Sequence, residues 1–111
     1  MVEQIQVVPA ELRDVAGHHR QTAETLRAVP STHPAIQASL DSLGPIFADL
    51  AEAGRELLEQ RKQCYERQAG AHADLAANLD AVADLWTQHE QDAARRFQAL
   101  ADGADPTTAA P

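Results

Sequence analysis

The sequence predicts an all-α protein, an antiparallel helical hairpin of two long helices, and three observations carry that prediction. Apolar residues recur at alternating three- and four-residue steps along most of the 111 residues. A Gly44-Pro45 corner divides them into two limbs. Beyond Pro45 no proline intervenes until the segment after Asp102-Gly103, so the second limb is free to run as one helix.

Each element follows from local chemistry. Val8-Pro9-Ala10-Glu11-Leu12 is a helix entry: proline in the first turn gives up no needed N–H, and Glu11 suits the positive end of the helix dipole. The stripe of this first helix is Leu12, Val15, Ala16, His19, Ala23 and Leu26. Pro30 to Pro34 should interrupt it, because both prolines remove donors and push the preceding residues out of the α region. Ile36, Leu40 and Leu43 then resume a short helix, with Ser31 or Thr32 as its cap. At the corner, Gly44 suits a left-handed helix end, Pro45 suits the next helix start, and Asp41 or Ser42 can cap it.

The second limb reads Leu50, Gly54, Leu57, Arg61, Cys64, Gln68, Ala71, Leu75, Leu79, Val82, Trp86, His89, Ala93, Phe97 and Leu100 in the same three-four rhythm. Gly70 offers a place for a bend, and a break there would let the chain fold back into a compact bundle. Residues 1–103 form one domain, and 104–111, polar and proline-containing, are expected to be a disordered tail.

The limbs are unequal. Pairing outward from Gly44-Pro45 exhausts the first limb opposite Leu75 to Leu79 and leaves roughly 35 Å of the second uncovered at 1.5 Å per residue. Leu79, Val82, Trp86, Phe97 and Leu100 lie there, so these residues are the expected partner interface of a homodimer or of a heterodimer with another small helical chain.

Composition narrows the function. A formal net charge of −8, from 9 Lys plus Arg against 17 Asp plus Glu, repels phosphate backbones, so nucleic acid is not an expected partner. No stretch is long and apolar enough to span a membrane, and MVEQIQVVPAEL has neither the basic nor the apolar region of a Sec-type leader. The lone Cys64, within a helical pattern, is expected to be a packed, inert thiol.

No catalytic set is present: there is no glycine-rich phosphate loop, no nucleophile beside a base and no pair of inward carboxylates. An enzyme, a cofactor and a small-molecule substrate are therefore not expected. Five histidines raise the question of a metal. His18 and His19 point about 100° apart on a helix, and no His-x-x-x-His spacing supplies two ligands from one face, so no functional metal is expected, although His19 and His72 can approach across the hairpin. Arg13, Arg20 and Arg27, and likewise Glu52, Glu59 and Glu66, recur every seven residues as flanking or bridging rows of a coiled coil.

The stretch LWTQHEQDAARRFQAL holds the only tryptophan of the chain. Trp86 and Glu90, four apart, set a ring and a carboxylate side by side on one helix face. With IQVVPAELRDVAGHH at the start, SLGPIFADL at the corner and LDAVADLWTQHE near the end, the chain resembles the small substrates of the actinobacterial ESX, or type VII, secretion system, over residues 5 to about 100. It is more similar to the EspC-type secretion-associated proteins than to the WXG proteins proper, because Trp-x-Gly is missing at the corner and Leu43-Gly44 stands in its place.

That resemblance implies a WXG-like hairpin that pairs with another hairpin and is recognised by a secretion ATPase. It also implies that Trp86 and Glu90 hold the place of the family's Tyr-x-x-x-Asp/Glu export motif. The departure is the ring: Trp86 keeps a flat apolar face but lacks the phenolic hydroxyl, and Tyr65, followed four residues later by Ala69, does not supply the motif instead. The competing expectation is a cytoplasmic coiled-coil adaptor in which Trp86 anchors an interface.

Overall fold

In the computed structural model, residues 6–103 are described. Helix α1 spans Pro9–Ala28, a 3₁₀ turn spans Val29–Thr32, α2 spans His33–Asp41, a second 3₁₀ turn spans Pro45–Phe47, and α3 spans Ala48–Gly103. The expected disordered tail, 104–111, lies outside the described residues. The architecture is the helical hairpin that the sequence predicts, α1 and α2 running antiparallel to α3.

It is a slender rod, 101 × 30 × 15 Å, with a radius of gyration of 27.2 Å. A compact domain of this length would have a radius near 13 Å, so the chain does not wrap a globular core. Gly70 does not break α3, which runs unbroken for 56 residues, and the compact fold-back is thereby excluded.

The seam between the limbs is made of alanine. Ala16 and Ala23 of α1 face Ala69, Ala76 and Ala83 of α3, each set spaced by seven, with Ala51 nearer the corner, and no large side chain among the described residues is fully buried. Small residues every second turn let two backbones approach toward the short end of the usual 8–10 Å range of helix separations. Burying six methyl groups contributes only on the order of 5 kcal/mol. The half-covered Leu12, Leu26, Leu40, Leu58 and Leu79 along the edges must supply much of the rest.

This corrects the stripe read from the sequence. The seam of α3 is Ala51, Leu58, Tyr65, Ala69, His72, Ala76 and Ala83, whereas Leu57, Arg61, Cys64, Gln68, Ala71, Leu75 and Val82 are exposed beside it. Two three-four stripes run along α3 about 100° apart. Size picks out the leucine stripe, but the close approach of α1 selects the alanine stripe. Cys64 is accordingly an exposed free thiol, not a packed one.

The first limb is interrupted at Pro30 to Pro34 as expected, α1 giving way to a 3₁₀ turn over Val29–Thr32 before α2 begins. Pro30 sits in the first turn of the 3₁₀ segment and Pro34 in that of α2, where neither costs a hydrogen bond. The anticipated caps are not used. Thr32 Oγ1 donates back to Val29 O at 3.0 Å and Ser42 Oγ to Ser39 O at 2.6 Å, while Asp41 Oδ1 accepts from Gln37 Nε2 and Arg55 Nη2.

The arginine row does bridge the limbs, but to different acids. Arg13 donates to Asp84 Oδ1 at 2.9 Å and reaches Thr87, and Arg20 pairs with Asp80. Glu52 instead bonds Arg55 on its own helix. Because Arg13 lies opposite Asp84 and Thr87, the first limb runs out near His89 rather than Leu75 to Leu79. Among the described residues, the end of α3 that extends past α1 is then about fourteen residues, or about 20 Å, at 1.5 Å per residue.

Gly54 lies where α2 meets α3, and a Cβ there would overlap Leu40 Cδ1. Gly44 forms the corner with φ 91° and ψ 178°, a conformation essentially reserved for glycine. Gly44→Ala should therefore lower stability by about 1–3 kcal/mol, read as a drop of about 5 °C or more in the thermal midpoint. A variant melting with the wild type would show that the corner relaxes at no cost.

Candidate functional site

The two edges of the alanine seam differ in chemistry. Along one run the ion pairs Arg13–Asp84 and Arg20–Asp80. Along the other, His19 and His72 meet, and residues one and two turns from them carry the row forward, Val15 and Leu26 on α1 and Leu75 and Leu79 on α3, with Trp86 two turns beyond Leu79. Val8, Val15, Leu50, Leu57, Leu75, Val82 and Trp86 are all substantially exposed on this side.

In a chain of net charge −8, this row of α3 holds no acid from Leu50 to Trp86. Glu52, Glu59, Glu66, Asp80 and Asp84 fall on the other half of the helix, at 100° per residue. Helix α3 is thus two-sided, acid-free along its apolar row and acidic on the opposite half, where Asp84 and Asp80 pair with Arg13 and Arg20 of α1.

Trp86 stands where α1 gives out. The residue is 39% exposed, and its ring packs edge-on against His89, centroids 5.8 Å apart and planes at 86°. Glu90, one turn on, is exposed and has no hydrogen bond or ion pair among the described residues. The pair therefore presents a flat ring and a free carboxylate at the junction of the paired region and the bare end of α3. Past it the apolar row continues through Phe97, 73% exposed, and Leu100, 69% exposed, both on a stretch of helix with no neighbour among the described residues. Of the expected interface residues, Leu79 is half-buried by the hairpin itself, and Val82, Trp86, Phe97 and Leu100 are exposed. Gly44 and Pro45 form the corner at the far end of the rod.

A family model described as "Excreted virulence factor EspC, type VII ESX diderm" matches residues 1–99. The chain belongs to the EspC family. The resemblance read from the corner and the terminal helix thus holds across nearly the whole EspC-family hairpin. Curated relatives 57% identical over 104 residues, spanning 94% of this chain and 99% of their own, are uncharacterized proteins of Mycobacterium bovis and Mycobacterium tuberculosis. No solved structure matches this EspC-family chain. As a family of the ESX system it is tied to type VII export, and no helix among the described residues is long and apolar enough to cross a membrane.

Sequence reading missed two features of this EspC-family hairpin. One is the alanine seam, whose seven-residue spacing was present but hidden beside larger residues. The other is His33, the one buried polar residue among those described, 8% exposed at the start of α2, with Nε2 lacking a hydrogen-bond partner. Its position between two prolines gave no period from which burial could be inferred.

Proposed function

We propose that this chain is a non-enzymatic substrate or co-secreted helper of a type VII secretion system. It pairs with another helical hairpin through its acid-free face and is addressed to the secretion ATPase by Trp86 and Glu90. Export by the type VII route carries it out of the cytoplasm. Membership of the EspC family over residues 1–99 carries this reading. Geometry supports its parts: a ring and a free carboxylate on one face at the end of the paired region, and an apolar row that one chain leaves open to solvent.

The partner is a hairpin because the open face is long, straight and flat, and a second helical pair covers such a face by the same ridge-and-groove packing that joins α1 to α3. A second copy meets the electrostatic condition, since two acid-free faces can meet with the acidic faces turned outward.

The test separates addressing from pairing. Trp86→Ala and Glu90→Ala should each leave the protein accumulating inside the cell, the Glu90 variant still paired, while its level in the culture medium falls roughly tenfold or more, equivalent to about 1.4 kcal/mol of lost recognition. Undiminished export of both variants would remove the signal assignment. The adaptor reading keeps one observation of its own, the half-exposed indole in line with Leu75 and Val82. On that reading Trp86→Ala weakens pairing itself by about 2 kcal/mol or more.

A further inference from the structure

We propose that the residues ahead of α1, Met1 to Val8, form an extended strap that covers the end of α3 reaching past α1, with Ile5 and Val7 seated on Ala93, Phe97 and Leu100. The surface there is concave. Ala93 is its half-buried floor, Phe97 and Leu100 are exposed walls, and His89, Asp92 and Arg96 complete the lining of a depression of about 240 Å³. Trp86, Ala93 and Leu100 recur every seven residues, so the depression continues the edge on which Trp86 stands.

Three observations select the chain's own first residues as the occupant. The first is direction. Arg13 stands opposite Asp84 and Thr87 of the antiparallel α3, so the chain ahead of Pro9 emerges toward Phe97 and Leu100. Val8 is extended, φ −107° and ψ 105°, and residues 6–8 make no turn that would send the chain back.

The second is length. An extended strand advances about 3.3 Å per residue, so Val2 to Val8 spans about 20 Å, the same as the part of α3 that extends past α1. Ile5, about 10 Å beyond Val8, comes level with Phe97, which lies about 12 Å along α3 from His89. Val2, Ile5, Val7 and Val8 are all β-branched, and a residue before proline is held out of the helical region, so sequence favours this extended form.

The third is chemistry. Glu3, Ile5 and Val7 share one side of a strand. With Ile5 and Val7 on the apolar depression, Glu3, the one acid from Met1 to Val8, comes within an arginine's length of Arg96. Arg95 is already bonded to Asp92 at 2.6 Å, whereas Arg96 has no ion pair among the described residues. The strap leaves the row from Leu50 to Val82 open for pairing.

The test uses the full-length chain with Cys64→Ser and a nitroxide attached at Gln4→Cys, on the other side of the strand. Amide NMR signals from Ala93 to Ala101 should be bleached, and those from Ala48 to Leu58, at the far end of the rod, should be kept. Bleaching should persist when the spin-labelled chain is diluted with unmodified chain that gives no NMR signal. In the unlabelled protein, Ile5→Asp should speed hydrogen exchange of Ala93 to Ala101 by about tenfold, as uncovering one isoleucine should, while Gln4→Asp leaves it unchanged. Unbleached signals, or equal exchange in Ile5→Asp and the wild type, would overturn the strap. Bleaching that vanishes on dilution would give the depression to a second copy and overturn it equally. None of these readouts involves export, so they leave the assignment of Trp86 and Glu90 untouched.

Discussion

Ala76→Leu should open the hairpin. Ala76 is 1% exposed and sits between Ala16 and Ala23 of the facing helix, themselves 0% and 1% exposed, so three added carbons have no space to enter. Overpacking of this kind costs about 1–3 kcal/mol in a core that can shift. Here the alternative to shifting is separation of the two backbones along the whole seam, which also uncovers Ala69 and Ala83 and strains the bonds from Arg13 and Arg20 to α3. Leucine is almost as good a helix former as alanine, so α3 itself is not weakened by the change. The expected result is a urea midpoint far below that of the wild type, with helix content retained at low temperature. Ala81→Leu, the same change at an exposed position of the same helix, should leave the midpoint within about 0.5 kcal/mol. Equal midpoints for the two variants would mean that the alanines do not set the separation of the limbs.

The second large effect lies on the open face. Leu75→Glu together with Val82→Glu should abolish association of the purified chain. Both residues are substantially exposed on one hairpin and fall two turns apart in the acid-free row. Each new carboxylate would have to lose its water against an apolar surface without a counter-ion. At about 2 kcal/mol or more per central interface residue, the pair should weaken association by about a thousandfold, from a two-chain to a one-chain mass in light scattering, with the helical signal unchanged. Asp84→Ala, on the acidic side, should lose the Arg13 bond but not the partner. A double variant that associates as the wild type does would show that this face is not the one covered. A wild type that is already single-copy would move the partner to a different hairpin.

Much of the hairpin was legible because its signals are local. Pro9 with Glu11, Gly44 with Pro45 and Asp102-Gly103 mark ends that depend only on neighbouring residues, and the observed helices start and stop at or near them. What was not legible depends on the distance between the limbs. Period alone does not say whether Leu75 or Ala76 faces inward, since both stripes keep the three-four rhythm. That choice is made by how near the second helix comes. The register differs for a related reason: counting outward from Gly44-Pro45 ends the first limb opposite Leu75 to Leu79, but Arg13 reaches Asp84 and Thr87, and the 3₁₀ turn Pro45–Phe47, which lengthens the α3 side of the corner, supplies only part of that offset. Trp86 and Glu90 were visible as a pair on one face from spacing alone. Their place at the point where the first limb gives out follows only from the register.

The seven-residue spacing of the alanines has one more consequence. Identical teeth mesh equally well after a slip: Ala16 and Ala23 could sit against Ala69 and Ala76 or, about 10 Å along at 1.5 Å per residue, against Ala76 and Ala83. Methyl groups carry no mark that distinguishes the two alignments. The few polar latches across the rod, Arg13 to Asp84, Arg20 to Asp80 and His19 to His72, are what tell one notch from the next.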